Sequence, residues 1–401
     1  MKVLFLTNEY PPHIYGGAGV HVDYLSRELA KTMPVEVRCF GEQRLEKGNL
    51  KVTGFELDAS EFSCPAPLRS VFGAVQRCID FNTMNIDANL VHCHTWYSHF
   101  GGILAKKNYA IPLVVTVHSL EPLRPWKREQ LGGGYDFSLW VEKTALEMAD
   151  AVIAVSGETK SDIERLFDVD PNRIQIIHNG VDLDEYRKVE STDALKRFGI
   201  DPARPYLLFV GRITRQKGIT NLVDAIRFMD PGFQIVLCAA APDTAEIEQE
   251  MKIAVDRAKK ERPGIIWIDE MVDKKTACEL FAQAAVFCCP SVYEPFGIIN
   301  LEAMACETAV VATAVGGIKE VVVDGQTGFL VPIDQMKETP FAPTNPEKFA
   351  RDLAARINQL MKDPALREKF GKAGRKRAEE NFSWSAIAKK TKTLYESLLS
   401  R

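Results

Sequence analysis

The chain has 401 residues, 46% hydrophobic and 26% charged, with a formal net charge of −4. That composition fits a globular protein of two or three domains, and its charge gives no hold on nucleic acid or an anionic membrane surface. No apolar run approaches the roughly 20 residues that span a bilayer, so no stable membrane insertion is expected.

Met1–Thr7 is too short and too soon polar for a signal peptide, and Val3–Thr7 reads as a first buried strand. Nine cysteines without a CxxC pair read as reduced core thiols, which points to a cytoplasmic location. Further strands are expected at Val35–Phe40, Leu90–His94, Leu113–His118, Ala151–Ser156 and Ile174–His178, with helical stretches between them. The second half repeats the habit at Tyr206–Gly211, Phe233–Ala239, Ile265–Asp269, Val286–Ser291, Ala309–Thr313 and Phe329–Val331. Nearly continuous apolar strands separated by helices predict parallel sheets covered on both faces. The expected fold class is therefore α/β, with two doubly wound Rossmann-like domains facing each other across a cleft. The polar stretch Lys188–Arg204 marks the join, so the first domain is taken as 1–190 and the second as 191–375. Residues 376–401 end in an amphipathic helix, with Trp384, Ile387, Thr391, Tyr395 and Leu398 at helical spacing, expected to pack back on the first domain.

Ligands of open parallel sheets bind at the carboxyl ends of strands, and the loops there carry unusual residues. After the first strand, Gly16, Gly17 and Gly19 let backbone approach an anion, although alone they also fit a flexible turn. The next loop, His92-Cys-His94-Thr-Trp-Tyr-Ser-His99, raises a metal reading, but no acidic ligand follows at tight spacing. The preferred reading buries one histidine and lets His94 or Trp96 line a sugar pocket. His118 ends a buried strand and is followed by Arg124, Trp126, Lys127, Arg128 and Tyr135. That set can grip a phosphate while stacking on a sugar face; a solvated loop has the same composition. Gly211-Arg212 and Lys217-Gly218 follow the first strand of the second half, and two cations there would neutralise a diphosphate. Glu294-Pro-Phe-Gly-Ile-Ile-Asn-Leu-Glu302 then places two carboxylates eight positions apart. These can accept hydroxyls from both ends of a sugar nucleotide, with backbone N–H groups between them if Gly297 opens a helix.

Arg212…Lys217 followed by Glu294…Glu302 resembles the retaining glycosyltransferases of the GT-B fold, the family containing glycogen and sucrose synthases. His94-Thr-Trp-Tyr97, Ser119-Leu-Glu-Pro-Leu-Arg-Pro-Trp-Lys127, Glu129-Gln-Leu-Gly-Gly-Gly-Tyr135 and Ser291-Val-Tyr-Glu-Pro-Phe-Gly297 resemble the actinobacterial-type glycogen synthases, a group that includes α-maltose-1-phosphate synthases. The resemblance implies ADP-glucose as donor, with UDP-glucose left open by the sequence, and glucose 1-phosphate or an α-1,4-glucan as acceptor. It also implies donor contacts from Gly16, Gly17, Gly211, Arg212, Lys217, Glu294, Phe296, Gly297, Ile298, Ile299 and Glu302. His118 would act at the anomeric centre, and His94, Trp96, Arg124, Lys127, Arg128 and Tyr135 would serve the acceptor. Two positions depart from the glycogen-synthase pattern. Ile14 stands where a lysine precedes the paired glycines, and Thr95 where an aspartate follows the histidine motif. The missing aspartate suits a phosphorylated acceptor.

Retention by same-face attack is implied, with the departing phosphate taking the acceptor proton and domain closure completing the site. Neither a metal nor another cofactor is expected, because Arg212 and Lys217 supply the positive charge. A homodimer is compatible with this reading. Three alternatives stand beside it. One is a UDP- or GDP-sugar transferase of the same fold acting on a lipid or small alcohol, for which Phe62–Phe72 is the surface to inspect. Another is a non-catalytic nucleotide-sugar sensor. The third is a metal hydrolase built on His92, His94 and His99.

Overall fold

The computed structural model describes residues 1–337 and 341–400 and divides into two compact units, Met1–Gly180 with Trp384–Arg401, and Val181–Ser383. The first holds β1 (Val3–Leu6), β2 (Val35–Phe40), β3 (Arg44–Lys47), β4 (Leu50–Phe55), β5 (Leu90–His94), β6 (Leu113–Val117), β7 (Ala151–Ala154) and β8 (Ile174–Ile176). Their order in the sheet is β3-β4-β2-β1-β5-β6-β7-β8, parallel throughout except for the β3–β4 pair. β1, β5 and β6 are buried at every position, as the unbroken apolar runs predict. The expected strands run one or two residues too long at β1, β6, β7 and β8, where the chain leaves the sheet into loops.

β3 and β4 were not anticipated. β3 is exposed at all four residues and has no apolar face to read. Its signal lies in the turn: Lys47 pairs with Leu50 across Gly48-Asn49, and Gly48 has φ +58°, as a tight hairpin demands.

The second unit holds β9 (Tyr206–Arg212), β10 (Gln234–Ala240), β11 (Ile265–Ile268), β12 (Val286–Cys289), β13 (Ala309–Thr313) and β14 (Gly328–Val331). All are parallel, in the order β11-β10-β9-β12-β13-β14. Both units are therefore doubly wound Rossmann-like sheets with helical crossovers, as expected.

The unit boundaries differ from the expected 190/191 and 375/376, for a physical reason. Residues 181–190 are tied to the second unit: the Val181 N–H donates to Phe382 O at 2.9 Å, and Gln283 Nε2 donates to Val189 O at 2.6 Å. Arg375, on the helix Pro364–Asn381, donates to Tyr186 O and Ala305 O, both at 2.9 Å. That helix also sets Phe370 edge-on against Phe329 of β14, at 5.1 Å between centroids. Only Trp384–Leu399 returns to the first unit. There Trp384 stacks on Tyr24 at 5.5 Å, and Tyr395 Oη meets His92 Nδ1 at 2.5 Å. Among the described residues no helix is long and apolar enough to cross a membrane.

Candidate active site

A doubly wound sheet opens a crevice where its strand order reverses, because the loops leaving the two central strands depart to opposite faces. In the second unit that point lies between β9 and β12. β9 delivers Gly211, Arg212 and Lys217; β12 delivers Ser291, Glu294 and Gly297. Lys217 Nζ donates to Glu294 Oε2 at 2.6 Å, and Ser291 Oγ donates to the same oxygen at 3.2 Å. The Glu294 side chain is 9% exposed and that of Lys217 is 24% exposed, so this charge pair is largely shielded from solvent. Gly218 lets the two loops approach: it has φ +61°, and a Cβ there would lie 2.1 Å from Pro290 O. Arg212 Nη1 donates to Asp243 Oδ1 at 2.7 Å. Asp243 follows β10 and its N–H donates to Ile213 O at 3.2 Å, so the β10 loop holds the arginine from behind.

Gly297, with φ +93° and ψ 53°, turns the chain into the helix Ile298–Ala305, which has no side-chain cap. The first turn, with Ile298 and Ile299, therefore keeps its amides without a side-chain cap. Glu302 lies on the same helix and is buried; burial pushes its carboxyl up to about 7, against the opposing hydrogen bond from Tyr186 and the charges of Lys274 and Lys217. Phe296 differs from expectation in its side chain. The ring is buried against Phe382 at 5.9 Å, so this residue can reach a ligand only through its backbone.

In the first unit the strand order reverses between β1 and β5. The loop after β1 carries the paired glycines. Gly17 opens the helix Gly17–Ala30. The amides of Tyr15 and Gly16 both donate to Glu9 Oε2 at 2.8 Å. A carboxylate of the chain itself thus occupies the anion-like position of that loop. After β5, Thr95 adopts φ +66°, a sterically costly conformation for a β-branched residue, and its hydroxyl donates to Asn8 Oδ1 at 2.7 Å. The position lacking the aspartate is thus strained and spans the loops of both central strands.

Beneath these loops lies a histidine cluster. His94 Nδ1 meets His118 Nε2 at 3.1 Å, His21 Nδ1 meets Asn179 Oδ1 at 2.6 Å, and His92 lies between Tyr395 Oη and Thr116 Oγ1. Burial lowers all of these imidazoles, His21 to about 4 and His92, His94 and His118 well below the ordinary value, so they are neutral at pH 7. Among the described residues, His21, His94 and His118 form the group whose possible metal-ligand atoms lie within 4.8 Å of one another. This is not the His92, His94 and His99 set raised by the sequence. His92 has both ring nitrogens engaged, and His99 is buried on the helix Trp96–Tyr109.

The cationic loop after β6 sorts its residues clearly. Arg124 Nη1 donates to Ser119 Oγ at 3.1 Å and pairs with Glu121 at 3.5 Å. Lys127 Nζ stands 5.6 Å from the Tyr97 ring centroid. Arg128 is exposed and paired with Asp136 at 2.6 Å. Tyr135 is buried and donates to Glu121 O at 2.6 Å, so it braces the loop. Trp96 is buried too, stacked on Tyr97 at 4.1 Å, and belongs to the packing rather than to an open sugar platform. Glu142 is fully buried beside Glu121, accepts the Glu121 N–H at 2.8 Å, and is held protonated well above its usual range by burial.

Sequence reasoning missed Glu9, Asn179, Tyr186 and Asp243. Each acts on a site residue from a distant or unremarkable loop position, and only Asp243, an acidic residue just after a strand end, carried any signal.

Two doubly wound units with cations and carboxylates converging at the switch point of the second define a GT-B glycosyltransferase. Residues 15–185 match the family model of Glycosyltransferase Family 4, and residues 190–340 match that of Glycosyl transferases group 1. The chain is 45% identical over 406 residues to an alpha-maltose-1-phosphate synthase of Mycolicibacterium smegmatis, covering 99% of this chain and 100% of that protein. It is 44% identical over 402 residues to the alpha-maltose-1-phosphate synthase of Mycobacterium tuberculosis, with 99% and 100% coverage. Among solved structures, sucrose-phosphate synthase from Thermosynechococcus elongatus matches with a TM-score of 0.79 at 25% identity, over 100% of both chains. The chain belongs to the GT-B glycosyltransferase family that includes these alpha-maltose-1-phosphate synthases, and it is a glucosyltransferase.

Proposed function

We propose that the protein transfers glucose from ADP-glucose to glucose 1-phosphate, giving α-maltose 1-phosphate and ADP with retention at the anomeric carbon. The observation that carries the donor side is the Lys217–Glu294 pair at the β9/β12 switch point, with Arg212 on the same loop. Lys217 and Arg212 neutralise the diphosphate, and more strongly as it departs and gains charge. Glu294 takes hydroxyls of the transferred glucose, and Glu302 takes the ribose hydroxyls. The amides at Gly297, Ile298 and Ile299 lie along the phosphates. The acceptor hydroxyl attacks the face that the diphosphate leaves, the bond from the anomeric carbon to the phosphate oxygen breaks, and the departing phosphate takes the hydroxyl proton. His118 contributes as a neutral imidazole, since burial keeps it unprotonated. The scheme calls on no metal.

The acceptor assignment rests on the names of the relatives and on two features of this chain. Thr95 removes a carboxylate that would repel a phosphate, and Arg124 and Lys127 sit on a loop braced by Glu121 and Tyr135. The test is a four-way incubation of ADP-glucose or UDP-glucose with glucose 1-phosphate or glycogen, with products identified by mass spectrometry. A disaccharide phosphate from ADP-glucose and glucose 1-phosphate is expected. Elongated glycogen without a disaccharide phosphate would overturn the acceptor, and faster transfer from UDP-glucose would overturn the donor.

A further inference from the structure

The helix that carries Glu302 ends on a thiol pair that the transfer chemistry does not use. Cys306 follows the last turn of Ile298–Ala305, and its Sγ lies 3.9 Å from Sγ of Cys278 on the helix Lys274–Gln283. Both belong to the second unit. Cys278 Sγ also sits 3.4 Å from the carbonyl oxygen of Arg187, the residue after the Tyr186 that hydrogen-bonds Glu302. Cys306 stands four residues after Glu302, one turn along the same helix, and its N–H donates to Glu302 O at 3.2 Å. Arg375 joins the same knot through Ala305 O and Tyr186 O. The thiols and the carboxylate therefore share one strap, residues 186–187, and one helix end.

The two sulfurs are not equivalent. The hydrogen bond between the two sulfurs draws the Cys278 thiol down to about 6 against the effect of burial, while the same bond and burial push Cys306 far up. The lowered Cys278 thiol suits the attacking cysteine and the raised Cys306 the resolving one. Cys278 keeps 6% of its surface accessible; Cys306 keeps 1%.

We propose that Cys278 and Cys306 form a reversible disulfide that weakens nucleotide binding by displacing Glu302. The Cys278 thiolate attacks one sulfur of a low-molecular-weight disulfide, whose S–S bond breaks and whose first thiol leaves. Cys306 then gives up its proton and attacks the Cys278 sulfur of the mixed disulfide, expelling the second thiol. Two protein thiols are oxidised by two electrons, and the small disulfide is reduced to two thiols. A disulfide is about 2.05 Å long, so closing the gap from 3.9 Å draws the end of the Glu302 helix toward Cys278. The effect on binding rests on Glu302 as a donor ligand; formation of the bond does not.

The test equilibrates the full-length protein in oxidised and reduced glutathione, maps disulfides by peptide mass spectrometry, and measures ADP and UDP binding by calorimetry. Expected are a Cys278–Cys306 linkage, distinct from any adduct on the partly exposed Cys64, and a five- to tenfold rise in the Kd of the nucleotide that binds. Dithiothreitol should reverse both, and Cys278→Ser and Cys306→Ala should each abolish the redox response. Absence of the linkage in the oxidised wild type overturns the inference. A linkage with equal Kd in both states overturns the coupling alone. Reduced protein that binds neither nucleotide overturns the donor-site reading and the coupling together, while the mass map still decides the thiol chemistry.

Discussion

Replacing Glu302 by Gln should make the second unit more stable and the enzyme worse. The carboxyl is buried and raised from 4.5 to about 7. At 1.36 kcal/mol per pH unit, that displacement corresponds to about 3 kcal/mol. The sign follows from proton uptake. Above pH 4.5 the unfolded chain releases the proton while the folded chain keeps it until about pH 7, so folding becomes less favourable across that interval. Stability contributed by the protonated form is complete below the unfolded value and lost as pH rises through the folded one. Between pH 5 and pH 8 the wild type should lose about 2–3 kcal/mol that Glu302→Gln does not lose. Gln keeps an acceptor for Tyr186 and never ionises. Hydrogen exchange of the β12 and β13 peptides, read by mass spectrometry at several pH values, follows the second unit by itself. Parallel pH profiles for wild type and variant would refute the argument. On the functional side, with Glu302 as the proposed ribose ligand, the ionised carboxylate can accept from two hydroxyls where the neutral acid must donate. The wild-type KM for the donor should therefore fall as pH rises from 6 to 8, and the variant KM should be higher and flat.

Lys217→Ala should lower kcat/KM by two to three orders of magnitude, about 3–4 kcal/mol of transition-state stabilisation, with the circular dichroism spectrum retained; unchanged turnover would contradict its role. Lys127→Ala should raise the KM for glucose 1-phosphate severalfold while leaving any activity on glycogen unaltered, and equal effects on both acceptors would remove it from phosphate recognition. Thr95→Asp should raise the same KM by placing a carboxylate on the loop after β5, with thermal stability changed little because aspartate tolerates positive φ better than threonine; an unchanged KM would put the acceptor phosphate elsewhere. Tyr395→Phe should leave the buried Nδ1 of His92 without its partner and cost about 1–3 kcal/mol, read as a lower urea midpoint for the first unit with the donor KM unmoved.

The amino-acid sequence by itself determined the architecture and singled out the charged residues proposed to hold the donor, because both depend on local pattern. Unbroken β-branched runs bury on two faces, and such strands make parallel sheets; Arg212, Lys217 and Glu294 fall at strand ends or in the loops that follow, where such sheets bind ligands, and Glu302 lies on the helix after β12. The hairpin of β3 and β4 escaped because its outer strand faces solvent. Tertiary structure decided what local spacing cannot carry. It paired Lys217 with Glu294 and Arg212 with Asp243 across loops 77 and 31 residues apart. It turned Phe296, Trp96 and Tyr135 into packing or bracing groups, since an aromatic residue in a loop has the same sequence signature whether it faces ligand or core. It also brought His21, His94 and His118 from a helix and two strand ends into one neutral cluster. Burial and the partners of a side chain are properties of the closed chain, and they set the charge states on which the chemistry runs.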